Sequence, residues 1–169
     1  MFRGYWHRRA YRKALVDYIN QRPINKPFRI KKIRILIDEK LDIPPSFFTG
    51  LSNALNVKEK NVSFMTFPIK NKKIQDSSSV FNRNEVSFFG KFSSGLLVFC
   101  EKEVDLQLNF FNEQNLYPHW VACVSKKKLS IGFTGADNSI NDLIFDFPPT
   151  SKDEVKTELI KYLKILNHI

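Results

Sequence analysis

Three sets of residues in this 169-residue chain have types and spacings that bear chemistry. The first is cationic and aromatic: Arg3, Tyr5, Trp6, Arg8, Arg9, Arg12 and Lys13, followed by Arg22, Lys26, Arg29, Lys31 and Lys32. Guanidinium groups pair with phosphates bidentately and stack on bases, and aromatic rings stack on bases left exposed. The second set is acidic: Asp38, Asp137 and Asp142, whose oxygens would suit Mg²⁺ if the fold brought them together. The third is His119 and Cys123, which one helical face would place side by side, as a base and thiol must be for nucleophilic chemistry.

The cationic set carries the strongest signal. Residues 1–34 hold eleven Lys and Arg, Arg34 being the last, against one acid, Asp17. Residues 35–169 hold 16 bases and 16 acids, so the net charge of +10 lies wholly in the first 34 residues. Such asymmetry calls for a polyanionic partner, either nucleic acid or an anionic membrane surface. Seven of the eleven are arginine, the better phosphate ligand. No second helix stands at helix-turn-helix spacing and no zinc-finger ligands exist, so RNA, including that of a ribonucleoprotein particle, fits better than a sequence-specific DNA site. The structural counterpart of this reading is a basic helix docked on its own domain.

The other two sets are weaker. Asp137 lies in a polar loop with Asn138 and Asn141, residues that serve loop geometry, and the spacing is not that of a calcium loop. His119 and Cys123 lack an orienting third group. The six glycines form neither GxGxxG nor GxxxxGK[ST], so a Rossmann fingerprint and a phosphate loop are absent. Cys100 and Cys123 show no CxxC spacing and read as small buried hydrophobes in a reducing compartment. The three histidines do not group into a zinc site. Lys126, Lys127 and Lys128 read as complements to a helix carboxyl end. No catalytic residue, cofactor or metal is expected.

These residues must be positioned by a small number of elements. A helix is predicted over Arg3–Asn20, with Tyr11, Ala14, Leu15 and Tyr18 on one face and Arg8, Arg9, Arg12 and Lys13 on the other. Tyr5 and Trp6 fall on the basic side, which weakens the case for a membrane-surface helix. Pro23 and Pro27 mark an extended connection. Strands are expected at Ile33–Asp38, Val62–Phe67, Glu85–Phe89, Leu96–Cys100, Leu129–Phe133 and Leu143–Phe147. Helices are expected from Ser46 to Leu55, from about Val104 to Asn115 with a continuation past Pro118 to Ser125, and after Ser151. Residues 70–84 read as a polar surface loop. In the last helix Ser151 and Glu154 form a predicted capping box, and Val155, Leu159, Tyr162, Leu163 and Leu166 trace its apolar stripe. No run approaches the roughly 18 apolar residues of a membrane span, and no signal-peptide pattern follows the basic start.

The order implies an α/β fold, a three-layer sandwich with a mixed, mostly parallel sheet, preceded by a basic N-terminal helical arm. Residues 1–29 would form the arm and linker and residues 30–169 a single domain, expected to fold without residues 1–20. Ile33–Asp38, Val86-Ser87-Phe88-Phe89-Gly90, Leu96–Phe99, Lys128–Phe133 and Asn141–Asp146 together resemble a family of small uncharacterised Bacteroidota proteins over roughly residues 30–166. The resemblance implies a bacterial cytoplasmic protein and assigns no activity. The functional expectation is a non-enzymatic RNA- or ribosome-associated accessory protein, with the arm on phosphates and the α/β body available for protein contact. The alternatives are a small-molecule or nucleotide-binding domain using its acidic strand ends, and a peripheral membrane adaptor.

Overall fold

A computed structural model describes residues 2–21, 28–69, 80–111 and 115–169. Arg22 and Lys26 of the cationic set, and most of the expected 70–84 loop, lie outside these residues. In chain order the elements are α1 (Phe2–Gln21), β1 (Ile33–Asp38), α2 (Pro45–Ala54), β2 (Val62–Phe67), α3 (Ser94–Glu101), β3 (Val104–Phe110), α4 (Leu116–Val124), β4 (Lys127–Phe133), β5 (Leu143–Phe145) and α5 (Lys152–Ile165). The strands form one sheet in the order β2-β1-β3-β4-β5, and every pairing is parallel. Helices α2 and α5 cover one face, while α1, α3 and α4 cover the other. The architecture is the expected α/β sandwich with the expected helix before β1. Its sheet is wholly parallel where a mixed one was expected, since every strand-to-strand connection crosses over through a helical layer or a loop.

Burial explains why the strands form where they do. In β1, Ile33, Ile35 and Ile37 pack under α2 and α5 with Leu106, Leu108 and Phe110 of β3 and Leu129, Ile131 and Phe133 of β4. Phe48 and Leu51 of α2, and Val155, Leu159 and Leu163 of α5, close that core. The intervening residues of β1 and β3 face the other helical layer and are buried as well, as parallel strands covered on both faces require.

Three expected elements differ from the structure. Leu96–Cys100 is helical, because Ser93 Oγ accepts from Leu96 N at 3.2 Å and starts α3 ahead of the apolar run. Residues 104–110 are a strand, not a helix. Val104, Leu106, Leu108 and Phe110 alternate with Asp105, Gln107 and Asn109, a period of two. Glu85–Phe89 contributes only the antiparallel bridge Val86–Phe92, outside the sheet. At α5 the Ser151 side chain makes no capping hydrogen bond, so the capping box does not form. Val155, Leu159 and Leu163 are buried there, whereas Tyr162 and Leu166 are exposed.

The second face of the sheet carries a buried polar seam. Arg34 is wholly buried and pairs with no carboxylate among the described residues. Its Nη2 donates to the carbonyls of Phe99 and Lys102 at 2.6 Å each, and its Nη1 to the carbonyl of Lys126 at 3.2 Å. The guanidinium thus meets the negative end of α3 and lies 4.8 Å over the Phe99 ring. Burial brings its pKa down to about 10, still charged near neutrality. Gln107 Nε2 donates to Asn109 Oδ1 at 3.1 Å, and Asn109 Nδ2 to Asn141 Oδ1 at 2.8 Å. This chain ties α3, α4 and the β4–β5 connection to the sheet.

Helix α1 completes the same layer. Ala10, Tyr11, Ala14, Leu15 and Tyr18 pack against the cluster formed by Trp120, Val121 and Cys123 of α4. The helix runs alongside α4 in the same direction. His7 meets Tyr117, Ala14 O accepts from Cys123 Sγ at 3.3 Å, and the Tyr18 ring lies 4.0 Å from Lys127 Nζ. His7 belongs to this inward stripe and is wholly buried.

Candidate nucleic-acid interface

Docking of the inward stripe turns the opposite face of α1 to solvent. Arg8, Arg9, Arg12 and Lys13 are exposed and make no ion pair among the described residues. Tyr5, Arg8, Arg9 and Arg12 line one shallow concavity with Gly4. Helical spacing is the reason: positions 5, 8, 9 and 12 fall within two turns on one side, spanning about 11 Å along the axis. Arg9 lies 5.8 Å from the centre of the Trp6 ring, and Tyr5 and Trp6 meet edge to face at 5.7 Å.

A second segment adds to this face. Residues 87–91 make a tight turn closed by Gly90 N donating to Ser87 O at 3.0 Å and Ser87 N donating to Lys91 O at 2.8 Å. Gly90 has φ 83°, a left-handed conformation in which a Cβ would also stand 2.6 Å from that of Ala10. The turn holds out Phe88 and Phe89, 47% and 67% exposed, and Phe89 meets Trp6 at 6.0 Å between ring centres. Tyr5, at 61% exposed, also borders Trp6. Sequence reasoning assigned Phe88 and Phe89 to a strand and missed their place here. The signal was available: two adjacent aromatics cannot both face one core from a strand, and Gly90 follows them.

His7 fixes the turn to the helix. The Ser87 carbonyl can only accept, so His7 Nε2 carries the proton and donates to it at 2.8 Å, while Nδ1 accepts from Tyr117 OH at 3.1 Å. Burial lowers the His7 pKa, and the nearby Arg3 and Arg83 guanidiniums lower it further against the raising effect of the Ser87 bond. Arg3 is itself occupied, its Nη2 donating to the carbonyls of Val86 at 2.8 Å and Arg83 at 3.2 Å.

Among the described residues, Arg29, Lys31 and Lys32 of the cationic set do not join this patch. Lys31 and Lys32 precede β1 at the amino edge of the sheet, where their backbone N–H groups donate to Asp105 Oδ2 at 2.9 and 3.0 Å. Tyr18 stands beside Lys127 at that same edge, which puts Arg8, ten residues earlier on α1, about 15 Å away along the helix. Arg29 is exposed near the amino edge, close in sequence to Lys31. Lys127 donates to the α4 carbonyl of Ala122 at 2.7 Å, and Lys128 pairs with Asp105 at 2.7 Å. Burial raises the Asp105 carboxyl, but its bonds to Lys128, Lys31 and Lys32 outweigh this and the net direction is downward.

The acidic and nucleophilic sets are dispersed. Asp38 accepts from Lys40 N at 3.1 Å and Asn115 Nδ2 at 3.4 Å. Asp137 accepts from Ser139 N at 2.8 Å, and Asp142 from Ser130 N at 2.7 Å. No cluster of three potential metal ligands occurs among the described residues. His119 Nδ1 donates to the Asn115 carbonyl at 2.7 Å, while the Cys123 thiol is bonded to Ala14. Burial pushes Cys123 up to about 12, which keeps it protonated. No described helix is long and apolar enough to cross a membrane.

No curated protein matches the chain, and no solved structure does. One family model matches residues 5–166, taking in α1 from Tyr5 onward and the whole sheet. The chain belongs to that family, a family of unknown function designated DUF6913.

Proposed function

We propose that the protein is a non-enzymatic RNA- or ribosome-associated accessory protein that binds phosphates through the outward face of α1, in the cytoplasm of a bacterium. The observation that supports this reading is the division of labour on α1. Its apolar stripe is used in packing on α4, while Arg8, Arg9, Arg12 and Lys13 remain exposed and without ion pairs among the described residues. The apolar stripe of α1 from Ala10 to Tyr18 is packed against its own domain, so that stripe is not free to insert into a bilayer. Unpaired guanidiniums at one-turn spacing suit a phosphate backbone instead. The reading through acidic strand ends is less well supported, since Asp38, Asp137 and Asp142 form no common cluster among the described residues.

Filter binding tests it, with the wild type and the Arg8→Glu, Arg9→Glu, Arg12→Glu triple variant titrated against RNA at several salt concentrations. The triple variant should lose affinity almost equally across RNA sequences, and its slope of log affinity against log salt should be shallower by about 2. An unchanged affinity and slope would refute the reading. Binding of anionic vesicles as strong as binding of RNA would do the same.

A further inference from the structure

We infer that the ligand of this face is single-stranded RNA, its bases stacked on a composite aromatic platform made by Tyr5 and Trp6 of α1 together with Phe88 and Phe89 of the 87–91 turn. The inference rests on the RNA reading of α1 and specifies the form of the nucleic acid.

Its basis is the juxtaposition of exposed rings and exposed cations. Exposed aromatic side chains are costly in water, yet Tyr5, Phe88 and Phe89 are each about half or more uncovered. They are not scattered: Phe88 meets Phe89 at 5.2 Å, Phe89 meets Trp6 at 6.0 Å, and Trp6 meets Tyr5 at 5.7 Å. The row continues into charge, because Arg9 lies against Trp6, and Arg8 and Arg12 share a concavity with Tyr5. Rings and guanidiniums therefore adjoin on one surface. A duplex offers such a surface phosphates only, since its base faces are stacked on one another. A single strand offers both phosphates and free base faces, and stacking tolerates any sequence because every base has a π-face.

The platform is also held rigidly. Neighbouring rings meet at interplanar angles of 79°, 72° and 83°, so each braces the next by an edge and leaves faces turned in different directions. His7 bonds to Ser87, and Gly90 permits the turn to approach Ala10, which fixes the turn against α1. A strand crossing from the turn to the helix would meet Phe89, then Trp6 and Tyr5, and then the arginines.

The test is fluorescence anisotropy with a labelled 12-nucleotide RNA, single-stranded or annealed to its complement, for the wild type and for Tyr5→Ala, Phe89→Ala and Phe89→Trp. These side chains are exposed, and near-UV circular dichroism shows whether each variant keeps the native packing. The single strand should bind the wild type more tightly than the duplex. Each alanine variant should weaken single-strand binding by roughly 5- to 150-fold and leave duplex binding within about twofold. Phe89→Trp should bind at least as tightly as the wild type, and Trp6 fluorescence should be quenched by the single strand. If the wild type and the alanine variants bind single strands equally, or the duplex binds best, the platform is refuted while the phosphate role of α1 stands. If the wild type binds neither RNA, both readings fall, and capture of phosphatidylglycerol vesicles that depends on Phe89 would replace them with a membrane contact.

Discussion

Replacing Gly90 by alanine perturbs the joint on which the candidate interface depends. Gly90 sits at φ 83°, where an L side chain is strained, and an added Cβ would stand 2.6 Å from Ala10 Cβ and 3.0 Å from a ring carbon of Trp120. The left-handed conformation alone costs about 1–2 kcal/mol. Crowding a packed contact adds about 1–3 kcal/mol, because neither Ala10 nor the braced Trp120 ring can turn aside. A total near 3 kcal/mol should lower the thermal midpoint of a chain this long by roughly 6–12 °C. Ala10→Gly in the same background removes the closer of the two clashing atoms. It should restore part of the loss despite the helix cost of glycine, about 1 kcal/mol. A double-mutant cycle by differential scanning calorimetry measures this coupling, and single-strand RNA affinity should fall in step as Phe89 moves away from Trp6. A single Gly90→Ala variant melting within about 2 °C of the wild type would refute the argument that the turn is seated against α1.

Four further outcomes follow from the packing. Contrary to the expectation from sequence, deleting residues 1–20 uncovers Trp120, Val121 and Cys123, so the truncated protein should lose its cooperative transition and bind a hydrophobic dye. Arg34→Met leaves the buried carbonyls of Phe99, Lys102 and Lys126 without their donor and should cost about 3–5 kcal/mol in urea unfolding, with Arg34→Lys recovering only part. Because the folded protein depresses the His7 pKa below its ordinary 6.5, the unfolded chain binds more protons in acid. Stability contributed by this group is full above that value and declines as pH falls below it, and His7→Phe should flatten that decline. Cys100 and Cys123 are buried with their pKa values raised by desolvation, so Ellman's reagent should titrate them only as fast as the protein opens.

Fold class, the helical start and the placement of β1, β2, β4 and α5 were legible in the sequence, because each is written in local apolar period and turn residues. So was the charge asymmetry, which is a property of composition along the chain. What that asymmetry means at each residue emerges only from the packing. Arg34 and Arg3 look like their neighbours in sequence, yet one is buried under α3 and the other spans to the carbonyls of Val86 and Arg83. Arg29, Lys31 and Lys32 lie toward the opposite sheet edge from Arg8, because α1 runs the full depth of the layer before the chain enters β1. The buried stripe of α1 includes His7, whose polarity hid it from a hydrophobic count until Ser87 and Tyr117 satisfied both ring nitrogens. The errors at 85–110 share one cause. Short apolar runs are ambiguous between strand and helix, and here the decision came from Ser93 capping α3 and from α4 covering the polar side of β3. Phe88 and Phe89 were legible as apolar residues. Their exposure beside Trp6 exists only because a left-handed Gly90 folds the turn onto Ala10, a contact between positions eighty residues apart.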